Sequence, residues 1–302
     1  MTIELPAAER RSSEAALTGA DDVSPPRPRM RRSRVAVISA ILLTVTCVLM
    51  VFPFLWAALS STKPTDVAFA NPPVFAYSPT FRAYVDLWQT TDFYIYLTNT
   101  MVVAVISTVV ALLVGIPCAY ALSRYGGIAS TVLLVLALVF RALPRFAVVL
   151  PMYDIARSLG IYDTTYAMAG ALIVINQPFT IWLLRNFFAE IPPELDEAAM
   201  VDGCTRVGVL TRIMIPLMGP GILTAGIFVF LFAFQEYLTA AVLTDTSSKT
   251  VPVFIATQLG QNLPLLQQAS AATVLLTLPV VGIAFIAQKY LVAGLASGAV
   301  KG

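Results

Sequence analysis

Six apolar segments are the feature that most constrains how this chain can fold. They occupy approximately 35–58, 98–121, 128–150, 164–187, 218–243 and 270–292. Each is close to the length of about 20 residues that a helix needs to cross the hydrocarbon core of a bilayer. Inside lipid the backbone must satisfy its own hydrogen bonds, which restricts a spanning chain to helices or a closed barrel. The segment lengths therefore predict an all-α membrane protein with six transmembrane helices.

The composition argues against a soluble domain and against an enzyme. Only 12% of the residues are charged, whereas soluble domains have about 25%. The absence of His removes the usual metal ligand and general base. The sequence contains no phosphate-binding loop, no zinc-type cluster and no nucleophile elbow. We expect no catalytic, metal or cofactor-binding residue in this chain.

The basic residues are distributed unevenly around the six segments. Of the 19 Lys and Arg residues, 13 fall on the side of the N-terminus, four fall on the other side, and Arg141 and Arg145 belong to the third segment. This bias predicts that both termini are cytoplasmic. Residues 1–34, rich in Pro, Ser and charge, are predicted to be a disordered cytoplasmic tail. The membrane domain is expected at 35–292 and a second cytoplasmic tail at 293–302.

A polar run at 190–216 has the composition of two short helices. Pro193 and the acidic residues that follow it suit the first turn of a helix, where the dipole favours negative charge. Gly203 is expected to end that helix, and Thr205 to cap a second one. Helical spacing places Val207, Leu210 and Met214 on one face of the second helix. Such a hairpin is typical of a docking element, and the alternative is a hairpin that serves only as a connector.

The same run resembles the EAA motif of ABC-importer permeases, with the family pattern EAA-x3-G-x9-I-x-L-P. Here an Ile stands where Leu is commoner, and the Asp before the glycine also fits. The resemblance implies the type I permease fold with a cytoplasmic coupling helix, which enters a cleft of a separate ATPase subunit. The residues that it assigns to this coupling are Glu197, Ala198, Ala199, Asp202, Gly203, Ile213 and Pro216.

The likeness extends over most of residues 35–302. The small-residue C-terminal tail resembles that of the MalG-type sugar permeases, in which it inserts between two ATPase subunits. Asn99, Arg185 and Glu190 fit the same subfamily. One departure is the pair Gln235-Glu236, which stands where many relatives have a Trp-Asn-Asp or Trp-Asn-Glu run.

Polar residues inside the apolar segments are candidates for a translocation path, because buried polar groups in a membrane are costly unless they are solvated or paired. For the amides and the carboxylate, the alternative is packing between helices. For the two arginines, whose spacing of four predicts one shared helical face, the alternatives are the outer interface or a partner subunit. We also expect the third segment to break near Pro144. The candidates are Asn176, Gln177, Gln235, Glu236, Arg141 and Arg145.

Two long loops are predicted on the outer side. The loop at 60–97 is rich in aromatic residues and is expected either to contain a helix on the membrane surface or to be an ordinary loop. The loop at 244–269 is long enough to reach a docked partner. Its candidate contacts with an external binding protein are Gln258, Gln261 and Asn262.

The resemblance implies the permease subunit of an ATP-driven, binding-protein-dependent importer of a sugar or oligosaccharide, located in the bacterial inner membrane. It implies a second, homologous permease subunit as a heterodimer partner, two ATPase subunits that hold ATP and Mg, and an external substrate-binding protein. The mechanism would be alternating access. The alternatives are import of a phosphorylated polyol such as glycerol phosphate, an ion-coupled secondary transporter and, with least support, a membrane enzyme.

Overall fold

The computed structural model describes residues 34–68, 70–259 and 263–299. All the regular secondary structure within these residues is helical. The predicted N-terminal tail lies outside this range except for Arg34, as do Gln261 and Asn262. In chain order the helices are α1 (Arg34–Thr62), α2 (Thr65–Ala68), α3 (Arg82–Thr90), α4 (Phe93–Arg124), α5 (Ile128–Ala142), α6 (Arg145–Ser158), α7 (Thr165–Ala189), α8 (Glu194–Val201), α9 (Arg206–Val209), a π-helical turn (Leu210–Met214), α10 (Ile215–Leu217), α11 (Gly219–Phe234), α12 (Leu238–Leu243), α13 (Val251–Leu259) and α14 (Leu263–Ala299).

The described helices account for four to six membrane crossings. Four are long and apolar enough to cross alone, within α1, α4, α7 and α14. Two further pairs reach that length only as bent units, α5 with α6 at 90° and the α9–α10 stretch with α11 at 79°. The first bend lies at Pro144, as predicted. Six spans are therefore reached only if both bent pairs cross.

Two of the predicted apolar segments differ from the helices of the structure, one by an internal break and one by its end. The segment expected at 218–243 is not one helix, because Gln235, Glu236 and Tyr237 separate α11 from α12. Glu236 consequently lies at a helix break, where its carboxylate accepts hydrogen bonds from the first turn of α12. The last helix continues well past the predicted end at residue 292 and reaches Ala299. Much of the predicted C-terminal tail is therefore helical.

The described residues divide into two compact units, one that ends at Pro53 and one that begins at Phe54. In the first unit, the apolar side chains of α1 that are described are exposed. In the second unit, α4 and α7 form the most extensive helix pair, and α11 packs against both. Their shared core includes Val103, Met168, Leu172 and Phe234.

Small residues allow α4 and α7 to approach closely. A Cβ added at Gly115 of α4 would lie 2.9 Å from Cγ2 of Thr180 on α7, so a larger residue does not fit there. Ser107 donates a hydrogen bond across the pair to the carbonyl of Ala169 at 3.3 Å. Close packing of small residues and hydrogen bonds between helices are the interactions that hold helices together in lipid. These contacts make the α4–α7 pair a rigid support for the site at its end.

At the Phe93 end of α4, the described parts of the loops at 60–97 and 244–269 are packed rather than open. Leu87 of α3 and Phe93 are fully buried together with Phe254 of α13. Lys63 is also buried, and its Nζ lies 5.4 Å from the centroid of the Trp56 ring. The loop at 60–97 therefore contains a helix, α3, which buries one face against α4, α13 and α14.

One carboxylate joins two loops at this end of the molecule. Asp163 adopts a φ of +55° and accepts hydrogen bonds from the backbone amides of Asp245, Thr246, Ser247 and Ser248 at 2.8–3.1 Å. Burial raises the pKa of the Asp163 carboxyl, but these hydrogen bonds outweigh burial and hold its pKa well below the usual range. The α6–α7 turn and the α12–α13 loop are therefore tied together by a charged group.

Candidate functional site

The polar run at 190–216 folds as two short helices at the Arg124 end of α4. We call residues 193–217 the acidic hairpin. The helix α8 begins after Pro193 and carries Glu194, Asp196 and Glu197 in its first turn. Negative charge at this position is stabilised by the free N–H groups and the dipole of the helix. The hairpin therefore begins where its sequence predicts.

The turn between the two helices is set by Gly203 and Thr205. Gly203 has a φ of +88°, a conformation that side-chain-bearing residues rarely adopt. The amide of Cys204 donates to the carbonyl of Ala199, and that of Gly203 to Met200, which is a Schellman arrangement. The Thr205 hydroxyl accepts from the amide of Gly208 at 3.1 Å and caps the second helix. Both local predictions are confirmed.

A buried ion pair fixes the hairpin to α4. Arg124 pairs with Asp196, and the two side chains are 12% and 7% exposed. Tyr120, one turn earlier on α4, donates a hydrogen bond of 2.7 Å to the same carboxylate. Arg124 also donates to the carbonyls of Phe188 and Ile191, at 3.2 and 3.1 Å, near the end of α7. One guanidinium thus joins α4, α7 and α8.

Sequence reasoning missed this anchor. The sequence indicates Asp196 only as one of the acidic residues in the first turn of α8, and Arg124 only as one of the 13 basic residues on the side of the N-terminus. A second contact was also missed, because Arg206 donates to the hydroxyl of Tyr125 and lies 5.1 Å from the centroid of its ring. A sequence signal does exist, since Tyr120 and Arg124 share one face of α4 at its polar end. Nothing in the sequence says which acidic residue they meet.

The predicted coupling residues separate into an outward and an inward group. Glu197, Ala198 and Asp202 are exposed, as are Gly203 and Pro216. Ala199 is instead 6% exposed and packs into the apolar cluster beneath the hairpin, with Phe188 and Met214. Ile213 is half-buried against the same cluster. Ala199 therefore belongs to the support beneath the hairpin, whereas Ala198 belongs to its exposed surface.

The second arm of the hairpin differs from the predicted helix. Residues Leu210–Met214 form a π-helical turn, which changes the angular spacing of the side chains. Met214 is fully buried, but Val207 is 70% exposed. The predicted apolar face of Val207, Leu210 and Met214 is therefore wrong at Val207. Val207, Glu197 and Ala198 are all exposed, so the exposed surface of the hairpin is partly apolar and partly acidic.

A second group of predicted residues converges around the bend between α5 and α6. Arg141 donates to Oδ1 of Asn176 on α7 at 3.3 Å. Arg145 lies 3.6 Å from Oε2 of Glu236, at the break between α11 and α12. We call these four residues the arginine cluster. Four candidates taken from three separate sequence segments thus form one site.

One expectation about the arginines was wrong. The helix breaks between them, so Arg141 lies in the last turn of α5 and Arg145 begins α6. The two side chains therefore do not share one helical face. Glu236 reaches Arg145 from the break between α11 and α12, which is a contact that the sequence does not indicate. A spacing of four residues predicts a shared face only within one continuous helix. A proline that interrupts the helix places the two side chains on helices with different axes.

The remaining candidates lie elsewhere. Gln177 donates to the carbonyl of Ala111 on α4 at 3.3 Å and thereby joins two packed helices. Gln235 is exposed, and Gln258 is half-buried on α13. Within the described part of the chain, no three Cys, Asp or Glu side chains come together as a metal site would require. The two groups that carry chemistry are therefore the acidic hairpin and the arginine cluster.

Comparison with known proteins places this architecture in a family. Residues 111–297 match the family described as the binding-protein-dependent transport system inner membrane component. A probable ABC transporter permease protein, y4oR, of Sinorhizobium fredii is 38% identical over 253 residues, which cover 83% of this chain and 90% of that protein. The trehalose/maltose transport system permease protein MalG of Thermococcus litoralis is 33% identical over 88% of this chain and 96% of that protein.

A solved structure has the same fold. It is a bacterial ABC transporter involved in the import of the acidic polysaccharide alginate, with a TM-score of 0.72 and 23% identity over 88% of this chain and 99% of that chain. The fold is thus that of a type I importer permease. The chain belongs to the inner-membrane permease components of binding-protein-dependent ABC importers, in a group with named sugar-transport relatives. It is a multi-pass membrane protein and a transport component.

Proposed function

We propose that this chain is the permease subunit through which a separate ATPase drives the import of a sugar or oligosaccharide. The observation that carries the proposal is the acidic hairpin, which presents Glu197, Ala198 and Val207 outward while Asp196 and Ala199 hold it to the body. A short helix that is rigidly supported and exposed on one side fits a docking element. Hydrolysis elsewhere is needed because the chain has no phosphate-binding loop.

The anchor gives this hairpin a way to transmit movement. Arg124 joins α8 to α4 and to the end of α7, and α4 packs along α7 for much of its length. A displacement of the hairpin by a docked ATPase would therefore carry both helices with it. Alternating access of a cavity between two permease subunits would follow from such a movement. The ATPase subunits, with ATP and Mg, would be two in number and would bind one hairpin each.

The sugar substrate and the remaining partners are proposed from the relatives. The MalG relative is named for trehalose and maltose. The alginate transporter is also known in complex with a pentasaccharide-bound periplasmic protein. A periplasmic binding protein and a second, homologous permease subunit are accordingly proposed as partners here. The basic residues support an orientation with the hairpin and both termini in the cytoplasm.

Uptake into proteoliposomes tests the proposal. The chain, purified with its partner subunits and supplied with the binding protein, should accumulate a radiolabelled saccharide only when the ATPase side contains ATP and Mg. A proton or sodium gradient without ATP should give no uptake. Accumulation driven by the gradient alone would overturn the proposal in favour of an ion-coupled secondary transporter.

A further inference from the structure

A small pocket beside the bend between α5 and α6 has an unbalanced charge. Its volume is about 150 Å³, and its apolar walls come from Phe140, Leu143, Val148 and Ile175. The remaining lining residues are Arg141 and Arg145, so both charges that face the pocket are positive. A cavity of this composition favours an anion.

Glu236, the carboxylate of the cluster, is engaged mainly with its own helix. Its Oε1 accepts from the backbone amide of Thr239 at 3.0 Å and from the Thr239 hydroxyl at 2.9 Å. Its Oε2 lies 3.6 Å from Arg145, beyond the usual length of a charge-assisted hydrogen bond. The Arg145 side chain is 39% exposed, whereas that of Glu236 is 11% exposed. The guanidinium of Arg145 therefore keeps donors that can reach a ligand.

Arg141 has polar and aromatic neighbours, and among the described residues it forms no ion pair with a carboxylate. It donates to Asn176 at 3.3 Å, and its guanidinium carbon lies 5.3 Å from the ring centroid of Phe179 and 5.1 Å from that of Phe232. Rings and an amide stabilise a cation without neutralising it. The cluster thus holds two cations and one anion in apolar surroundings, where an uncompensated charge is costly.

We propose that this pocket binds the acid group of the transported substrate, so that the preferred substrate is an acidic saccharide. This inference rests on the proposed function. Guanidinium groups match the planar or tetrahedral oxygens of carboxylate, sulfonate and phosphate groups, and the apolar walls suit the less polar face of a sugar ring. An anionic lipid headgroup offers the same chemistry, and the experiment below separates the two sources.

Direct binding of a matched pair of sugars tests the inference. The probes are glucuronate and glucose, which differ in the carboxylate. The permease, purified with its partner subunits, is placed in phosphatidylcholine nanodiscs without the binding protein, and binding is measured by saturation-transfer NMR titration. Glucuronate should bind at least about ten times more tightly than glucose. Arg145→Gln and Arg141→Gln should abolish this preference, and Arg157→Gln, farther along α6, should retain it.

A gain-of-binding variant guards against loss of folding. Glu236→Gln keeps an acceptor for Thr239 but removes the competing negative charge, so glucuronate should bind more tightly to it than to the wild type. Weaker binding to this variant, or equal affinity for the two sugars in the wild type, would overturn the inference. An effect of Arg145→Gln on the binding of phosphatidylglycerol but not of glucuronate would assign the pocket to lipid and overturn it too. The proposed function fails separately, if ATP drives the uptake of neither neutral nor acidic saccharides.

Discussion

At the level of single residues, Arg124 and Asp196 fix the acidic hairpin to α4. Both are nearly buried, and both have further hydrogen-bond partners, which is the condition under which a buried ion pair is tolerated. Because Asp196 sits in the first turn of α8, the pair fixes the start of the hairpin rather than its tip. The exposed Glu197, one residue later, is left free to meet another protein.

Removing one partner of this pair should destabilise the protein. Asp196→Ala leaves the guanidinium of Arg124 buried without a counter-charge, and we expect a loss of about 3–5 kcal/mol in the free energy of unfolding. Glu194→Ala removes an exposed acid from the same turn and should cost less than about 1 kcal/mol. Thermal unfolding of the purified chain in detergent measures both.

The double variant Arg124→Met, Asp196→Leu supplies the control. Two apolar side chains of similar size remove both charges together, so much of the lost stability should return. A double variant as unstable as Asp196→Ala would show that the hydrogen bonds of Arg124 and Asp196 to Phe188, Ile191 and Tyr120, and not the two charges, carry the stability.

Asp163 predicts a specific dependence on pH. Its pKa is depressed in the folded state, so the stability that it contributes is present above the unfolded pKa and is lost as the pH falls through the folded pKa. The difference in melting temperature between the wild type and Asp163→Asn should therefore be constant near neutral pH and should shrink only below about pH 4. A difference that already closes between neutral pH and mildly acidic pH would contradict this assignment.

At the scale of elements, the hairpin shows what local sequence can and cannot determine. Gly203 and Thr205 act on their own backbone neighbours, so their roles follow from the chain around them. The bend at Pro144 is local in the same sense. The meeting of Arg124 with Asp196, and of Arg145 with Glu236, depends on how distant helices pack, which their spacing does not reveal. The π-helical turn at Leu210–Met214 likewise depends on the packing of Met214 beneath α8.

The chain reversal at Gly203 gives a prediction for the whole hairpin. A Cβ at this position would meet no atom within 4 Å, so a substitution is limited by the φ of +88° and not by space. Gly203→Ala should destabilise the protein by about 1–2 kcal/mol, and Gly203→Val by more, because β-branched residues resist positive φ. Gly219→Ala is the matched control, since its Cβ also has open space and its φ is not left-handed.

Melting temperatures of the three variants check this prediction. Equal melting temperatures for Gly203→Val and Gly219→Ala would contradict it, because the hairpin would then tolerate another backbone path at the turn.

At the level of the whole molecule, the acidic hairpin and the packed loops around α3 and α13 lie at opposite ends of α4. Tyr120 and Arg124 hold the hairpin at one end, and Phe93 anchors the cluster of α3, α13 and α14 at the other. The arginine cluster involves α5, α6, α7 and the α11–α12 break. The six apolar segments predicted this all-helical organisation, but the broken fifth segment and the extended last helix depend on interactions that hydropathy does not report.

Retention of an ATPase subunit on the tagged chain tests the proposal that this chain binds its ATPase through the acidic hairpin. Glu197 is exposed at the hairpin surface, and Asp154, on α6, is an exposed acid suited to a matched control. We expect the wild type and Asp154→Lys to retain the ATPase in the same ratio. Glu197→Lys should reduce that ratio about ten-fold, because it reverses the charge at the contact. Unchanged retention by a folded Glu197→Lys chain would contradict the account.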